Sequence, residues 1–362
     1  MTTRRTVLGA LMTHYLLAQS AGVAGSRTST RQPKIRIGQI GTTHAHASKL
    51  SVYRRSDDYE VVGLVEPDLP RRQQAEKDAA FRDLPWMTAE ELLNQPGLQA
   101  VLIETDVCDL LVNAELCVQA GMHVHIDKPA GESLSDLRTI MAIAEEKKLV
   151  VQMGYMYRYN PAIEMLRQIV ADGWIGELYE VQTAIGKTMN SEDRQQIARY
   201  PGGIMFEIGC HVLDTVISLL GRPGSVHAFN KHSSPTKDSL KDNMLAVLDY
   251  PDATATIRAS AIEVEGFARR HLVVCGTEGT FHVQPLDSPA ATLSLSRARG
   301  TWTSGTQRVT FPKYSRYVGD AIDMARVIRG EKTFAFTYQH DLLVQEILLE
   351  ASGVQEPATE RE

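Results

Sequence analysis

Between Lys34 and Met153, short apolar runs alternate with amphipathic stretches, and this alternation restricts the possible folds more than any other feature of the chain. Ile35–Ile40, Glu60–Val65, Ala100–Ile103, His123–Ile126 and Leu149–Met153 are rich in branched residues, as strands buried on both faces are. Helical stretches separate them. Thr88-Ala89-Glu90-Glu91 is a capping box and Pro96-Gly97 ends that helix. Leu110–Ala120 closes on Gly121, a glycine placed to terminate a helix. Ser133 with Asp136 opens a helix whose Leu134, Leu137, Met141 and Ala144 share one face. Repeated strand–helix units of this kind predict a doubly wound parallel sheet.

The second half reads differently. Helices are expected at Ala162–Asp172, within Gly202–Leu220, at Tyr317–Arg329 and at Gln339–Ser352. Alternating runs at Tyr179–Ala184, Met244–Tyr250, Ala253–Ala259, Leu272–Cys275, Thr280–Val283 and Thr292–Ser296 predict an open, mostly antiparallel sheet. The expected class is therefore α/β: a Rossmann-type doubly wound domain over 34–154, then an α/β domain with an open, mostly antiparallel sheet over 155–362. The last helix is expected to pack back on the first domain.

Composition removes several functions. A chain of 362 residues, 43% hydrophobic, has room for two domains of ~100–200 residues. Its four cysteines show no paired spacing, which speaks against a zinc ribbon or disulfide framework. Lys+Arg is 38 against Asp+Glu 44. No basic block is present, so nucleic acid is not an expected partner. No run of eighteen apolar residues appears, so no membrane insertion is expected. Residues 1–25 carry Arg4-Arg5, a weakly apolar middle and Ala21-Gly22-Val23-Ala24. This pattern predicts a twin-arginine-like export signal and a periplasmic or cell-envelope location. Residues 26–33 read as a linker.

The first strand runs into Gly41-Thr42-Thr43-His44-Ala45-His46. A glycine turn between strand and helix is a phosphate cradle, since free N–H groups and the helix dipole favour an anion. Glu66 ends the second strand, where a carboxylate takes adenosine ribose hydroxyls and repels a 2′-phosphate. In the G-x-G-x-x-G pattern, Thr43 and His46 replace the second and third glycines.

Further motifs are more specific. His123-Val124-His125-Ile126-Asp127-Lys128-Pro129 resembles the H-V-x-x-E-K-P segment of the Gfo/Idh/MocA (glucose–fructose oxidoreductase-like) family, with Asp for Glu. The stretch from Gln152 to Ala162 is similar to that family's domain-joining segment. Gly173-Trp174-Ile175-Gly176-Glu177 resembles its next turn. Gly202-Gly203 with Glu207-Ile208-Gly209-Cys210-His211-Val212-Leu213-Asp214 resembles its second-domain helix, with Glu at the usual Asp. Gly276-Thr277-Glu278-Gly279 and His340-Asp341-Leu342 also fit, so the resemblance spans roughly residues 34–352.

The resemblance implies a nicotinamide-dependent oxidoreductase acting on a hydroxyl of a sugar, sugar acid or cyclitol. Gly41, Thr42, Thr43, Glu66, Thr105 and Lys128 would hold NAD, with NADP left open by Arg71 and Arg72. Lys128 would orient the substrate and stabilise an alkoxide, its pKa lowered by burial. His211 would exchange the hydroxyl proton while hydride passes to or from nicotinamide. Glu207, four residues earlier on the same helix face, would hold that imidazole or a sugar hydroxyl. Tyr157, Arg158 and Asp214 would line the substrate cleft. An exported enzyme of this kind needs a tightly bound cofactor recycled within its own cycle. Transient oxidation leading to glycoside cleavage or elimination is one such cycle.

Two rival readings remain open at this level. His44, His46, Glu104 and His125 all fall at the carboxyl edge of the predicted sheet, a plausible set for a divalent transition metal in a sugar lyase or hydrolase. The other is a non-catalytic sugar-binding protein. A homo-oligomer is expected from the open sheet face of the second domain.

Overall fold

The computed structural model describes residues 32–354; the predicted export signal and most of the linker lie outside them. The first sheet is built from β1 (Ile35–Ile40), α1 (Leu50–Arg55), β2 (Tyr59–Val65), α2 (Leu69–Ala75), β3 (Trp86–Met87), α3 (Ala89–Leu93), β4 (Leu98–Ile103), α4 (Leu110–Gln119), β5 (His123–Ile126), α5 (Leu134–Glu146) and β6 (Val151–Met153). Its six strands run in the order β3-β2-β1-β4-β5-β6, every neighbour parallel. The chain order reverses between β1 and β4. A crevice therefore forms at the carboxyl ends of those strands, where doubly wound sheets place their ligands. The predicted capping box of α3 is present, with Thr88 and Glu91 capping each other.

The rest of the chain carries α6 (Pro161–Ala171), β7 (Leu178–Gly186), α7 (Ser191–Ile197), α8 (Cys210–Leu220), β8 (Ser225–Lys231), β9 (Asn243–Asp249), β10 (Thr254–Ser260), α9 (Gly266–Arg269), β11 (His271–Gly276), β12 (Gly279–Val283), β13 (Ala290–Leu295), β14 (Gly305–Thr310), α10 (Val318–Ile328) and α11 (Tyr338–Ser352). Eight strands form one sheet in the order β14-β13-β12-β11-β7-β10-β9-β8. It is antiparallel except at β7–β10, which pair in parallel. β8 and β14 were not expected from the pattern. Both are edge strands, largely exposed, so neither shows the apolar alternation of its neighbours.

Helix α10 returns to the first sheet. Its Ala321, Met324 and Ala325 join the core of Ile35, Tyr53 and Ala100. Tyr59 donates to the Ala321 carbonyl at 2.7 Å, and Arg329 pairs with Asp58 at 2.6 Å. Helix α11 packs on α5 of the first domain as well as on α8, with Gln345 donating to the Gly131 carbonyl. The final helix thus packs back on the first domain as expected, and α10 and α11 together hold the two sheets around one cleft.

Candidate active site

Lys128 follows β5 and is almost wholly buried. Its ammonium donates to the Glu207 carbonyl at 2.8 Å and to Glu207 Oε1 at 2.9 Å. Burial works against that charge, but Glu207 beside it outweighs the penalty and the Lys128 pKa is raised. The expected lowering is therefore reversed. Glu207 Oε2 accepts the Tyr200 hydroxyl at 2.6 Å. Burial opposes the carboxylate, yet Lys128 and Tyr200 hold its pKa below the usual value. Tyr200 was not foreseen.

Glu207 does not hold His211, contrary to the helix-face argument. Met205–Gly209 form a π-helical turn before α8. The wider turn breaks the i, i+4 register between the two residues. His211 is buried, with Nδ1 facing the Met156 N–H at 3.4 Å and Tyr157 edge-on at 6.0 Å between ring centroids. Burial and the Lys128 charge push its pKa well below the ordinary histidine value, so the ring is neutral.

Arg158 and Asp214 are corrected from cleft-lining to structural. Arg158 donates to both oxygens of Asp214, at 2.6–3.2 Å, and pairs with Asp341. All three side chains are buried, and the guanidinium lies 4.0 Å from the Phe336 ring centre. Tyr157 is also buried, with its hydroxyl directed to Asp287 at 3.4 Å.

A dense polar cluster fills the carboxyl end of β1, β4 and β5. Lys49, just before α1, reaches Glu104 Oε1 at 3.0 Å and pairs with Asp127. It also donates to His125 Nε2 at 2.9 Å. Burial penalises its ammonium, but Asp127 and Glu104 raise the pKa above the normal lysine value. The other nitrogen of His125, Nδ1, donates to Gln152 Oε1 at 2.8 Å. Both ring nitrogens are engaged, and burial lowers this pKa to about 3. His44 Nε2 donates to the Lys128 carbonyl at 2.9 Å, and its Nδ1 accepts the His46 N–H at 3.2 Å. Burial brings the His44 pKa to about 4. His46 Nδ1 lies 3.1 Å from Asp127 Oδ1.

This arrangement corrects the proposed four-residue metal set. His44, His46 and Asp127 do present ligand atoms within 4.8 Å of one another, as do Glu104, His125 and Asp127. The centre of charge, however, is already the Lys49 ammonium, and His125 has no nitrogen to spare. Lys49 escaped the sequence reading, and Asp127 was read only as the acidic member of the motif before Lys128, with no site role. The signal available was a lysine set between Ala47 and Leu50, both core residues.

Gly41 has φ +89°, and a Cβ there would sit 2.6 Å from the Thr105 nitrogen, so the turn requires glycine. Glu66 accepts Thr42 N–H at 3.2 Å, Thr42 Oγ1 at 2.8 Å and Asp68 N–H at 3.2 Å. It braces the turn, where a ribose ligand was expected.

A parallel six-stranded sheet opening onto a lysine–glutamate pair and a neutral histidine from the second domain defines a class. Residues 35–155 match the oxidoreductase family with NAD-binding Rossmann fold, and residues 163–282 match the GFO/IDH/MocA C-terminal domain. The chain belongs to the Gfo/Idh/MocA family. Trans-1,2-dihydrobenzene-1,2-diol dehydrogenase of Bos taurus is 27% identical over 198 residues, 54% of this chain and 57% of that enzyme. The chain thus aligns with little more than half the length of that relative. Among solved structures, an oxidoreductase from Agrobacterium radiobacter in complex with NAD+, L-tartaric acid and magnesium superposes with TM-score 0.75 at 16% identity, covering 89% of this chain and 97% of that one. The WlbA dehydrogenase of Bordetella pertussis, in complex with NADH and UDP-GlcNAcA, gives 0.72 at 18% identity, covering 90% and 99%.

The residues present fit a dinucleotide, though not through a glycine cradle. The N–H groups of Thr42, His44, His46 and Ala47 all serve acceptors within the protein. Thr42, Thr43, Arg71, Gln74 and Phe81 instead line an open cavity of about 600 Å³ beside the end of β2. Glu66 uses three of the roughly four acceptor positions of a carboxylate, so capacity for a ribose hydroxyl remains.

Proposed function

We propose that this chain is a nicotinamide-dependent oxidoreductase acting on a hydroxyl of a sugar, sugar acid or cyclitol. The observation that carries this reading is the buried Lys128–Glu207 pair beside His211, at the carboxyl edge of an NAD-binding Rossmann fold. Thr42, Thr43, Glu66 and Arg71 would hold the adenosine end; Thr105 and Lys128 would flank the nicotinamide end. Bound NAD+ supplies the hydride acceptor.

The protein's own part is electrostatic. Lys128 has one N–H left after serving the two oxygens of Glu207. Directed at a substrate oxygen, it stabilises the alkoxide in a water-poor site, where such a donor is worth far more than in solution. Glu207 keeps that lysine charged, so Lys128 acts as an electrostatic stabiliser, not as a base. Arg71 at the cavity rim favours a 2′-phosphate, while Glu66 disfavours one, so both NAD and NADP belong in the test.

We further infer that residues 1–25 direct export, that the cofactor stays tightly bound and is recycled within turnover, as in transient oxidation preceding elimination, and that the chain forms a homo-oligomer through the open sheet face of the second domain. Among the described residues no helix is long and apolar enough to cross a membrane.

The test is direct. Protein purified under native conditions and then denatured is expected to release an ultraviolet-absorbing nucleotide. With added NAD+ or NADP+ and a panel of polyols and sugar acids, reduced-nicotinamide fluorescence is expected to grow. No released nucleotide, no fluorescence with any substrate and no binding of either dinucleotide would sink this reading.

A further inference from the structure

On the second-domain side of the cleft, more positive charge is gathered than is neutralised. Lys187 directly follows β7, Arg270 directly precedes β11 and Arg316 stands before α10. β7 and β11 are antiparallel neighbours, so Lys187 and Arg270 fall at the same end of the sheet. Arg270 is fixed there: its Nε donates to the Gly186 carbonyl at 3.2 Å, and its guanidinium lies 3.9 Å from the Phe267 ring centre. Its Nη1 donates to both oxygens of Asp287, at 3.2 and 3.0 Å, and Arg316 pairs with the same carboxylate. One carboxylate thus serves two guanidinium groups. Lys187 has no share in it: its ammonium makes no hydrogen bond or ion pair among the described residues. Glu263, beside Gly186, is taken by Arg258 and Arg269. Asp193 on α7 is exposed.

This charge lies beside Lys128 and His211. Tyr157 directs its hydroxyl to Asp287 at 3.4 Å, while its ring stands 6.0 Å from that of His211. Arg316 is followed by Tyr317, whose ring lies 5.6 Å from that of His46. Solvent reaches this wall: the side chains of Arg316, Asp287, His46 and Glu207 are 33%, 14%, 15% and 11% exposed, and Lys187 is half-buried. Burial lowers the Lys187 pKa, Glu207 opposes that, and Lys128 and Arg270 add to the lowering. A half-buried cation without a counterion is costly.

We propose that Lys187, Arg270 and Arg316 form a carboxylate subsite, and that the substrate is a sugar acid held there while one of its hydroxyls meets Lys128 and His211. The assignment rests on the oxidoreductase reading and selects one of the substrate classes which that reading admits. A carboxylate entering here supplies the missing negative charge. It takes charge-assisted hydrogen bonds, about twice as strong as neutral ones, at a place partly shielded from water. Arg316 spends one N–H on Asp287 and keeps others in a fork that matches a carboxylate. A neutral sugar or cyclitol leaves Lys187 unpaired. Holding the molecule by a group remote from the reacting carbon also fixes which hydroxyl faces Lys128.

The experiment compares sugar acids with their neutral parents, using the full protein and saturating dinucleotide: glucuronate, galacturonate and gluconate against glucose, galactose and glucitol. The acids are expected to be favoured in kcat/KM by roughly 10–100-fold, the worth of a hydrogen bond between charged groups. In Lys187→Met this acid-to-parent ratio is expected to fall by about tenfold, through KM. Adding Arg316→Met lowers it further, and Lys187→Arg restores most of it. A melting-temperature shift on adding NAD+ reports that each variant is folded. Turnover without preference for the acids, or a ratio unchanged in the variants, overturns the subsite and leaves the oxidoreductase reading standing. If no compound is turned over, calorimetric titration decides. Uronate binding that weakens in Lys187→Met keeps the subsite while the oxidoreductase reading falls; no such binding overturns both.

Discussion

Lys49 and Asp127 form a buried ion pair under the cleft floor, with Glu104 on the other side of the same ammonium. Removing one partner of such a cluster strands the others as uncompensated charge. Lys49→Met is expected to cost about 3–5 kcal/mol of stability, read as a lowered denaturant midpoint. Adding Asp127→Asn to that variant is expected to recover part of the loss, because Asp127 is the carboxylate held as an anion in this cluster. A Lys49→Met midpoint equal to wild type would show that the cluster carries no net charge dependence.

Glu207 sets the charge state of Lys128. In Glu207→Gln the raised lysine pKa is expected to fall, since burial then acts with little opposition. The alkaline limb of kcat/KM moves to lower pH, and kcat drops by roughly 10–100-fold as the donor to the alkoxide weakens. Tyr200→Phe, which removes one hydrogen bond to Glu207, is expected to shift the limb the same way by less. An unmoved alkaline limb in both variants would assign that limb to another group.

Arg158 separates a structural role from a substrate role. Arg158→Met leaves Asp214 and Asp341 buried without a cation and is expected to cost about 3–5 kcal/mol. Any protein that remains folded is expected to show wild-type KM. A raised KM with unchanged thermal stability would restore Arg158 to the cleft.

Stability is expected to fall below neutrality. Histidines of the unfolded chain protonate near pH ~6.5, whereas folded His44 and His125 resist until about 4 and about 3. Between those limits the unfolded chain binds more protons, so this contribution is full above pH ~6.5 and lost progressively as the pH falls. Urea midpoints measured from neutral to mildly acid pH check the sign. His125→Asn is expected to flatten the slope, and an unchanged slope would move its origin to other groups.

Gly41→Ala places a Cβ 2.6 Å from the Thr105 nitrogen at φ +89°. Backbone strain of this kind costs of order 1–3 kcal/mol, before the clash between β1 and β4 is counted. Both a lower melting temperature and weaker dinucleotide binding are expected; retention of both would mean the turn relaxes.

Much of this molecule was legible before any coordinates. The branched runs from Ile35 to Met153 predicted a parallel sheet because strands buried on both faces admit few polar residues. Lys128, Glu207 and His211 were singled out by the resemblance of their motifs to those of the family. Their partners were not. A π-helical turn over Met205–Gly209 turns Glu207 away from His211 and onto Lys128, and helical spacing counted at 3.6 residues per turn has no term for that. Arg158, Asp214 and Asp341 lie far apart in the chain, so nothing in their order shows that they neutralise one another. Lys49 stands in a stretch that otherwise reads as an ordinary first helix.

The sequence by itself determined the layered α/β architecture, the glycine turn at Gly41 and the kind of chemistry-bearing groups brought to the sheet edge, because periodicity and turn preference act over a few neighbouring residues. Tertiary structure alone decided which charge neutralises which: Lys49 where a metal ion was conceivable, Asp127 behind His46, Glu207 beside Lys128. Electrostatics in a buried site depends on distances of a few ångströms and on the removal of water, and both are set only when strands and helices remote in sequence close on one another.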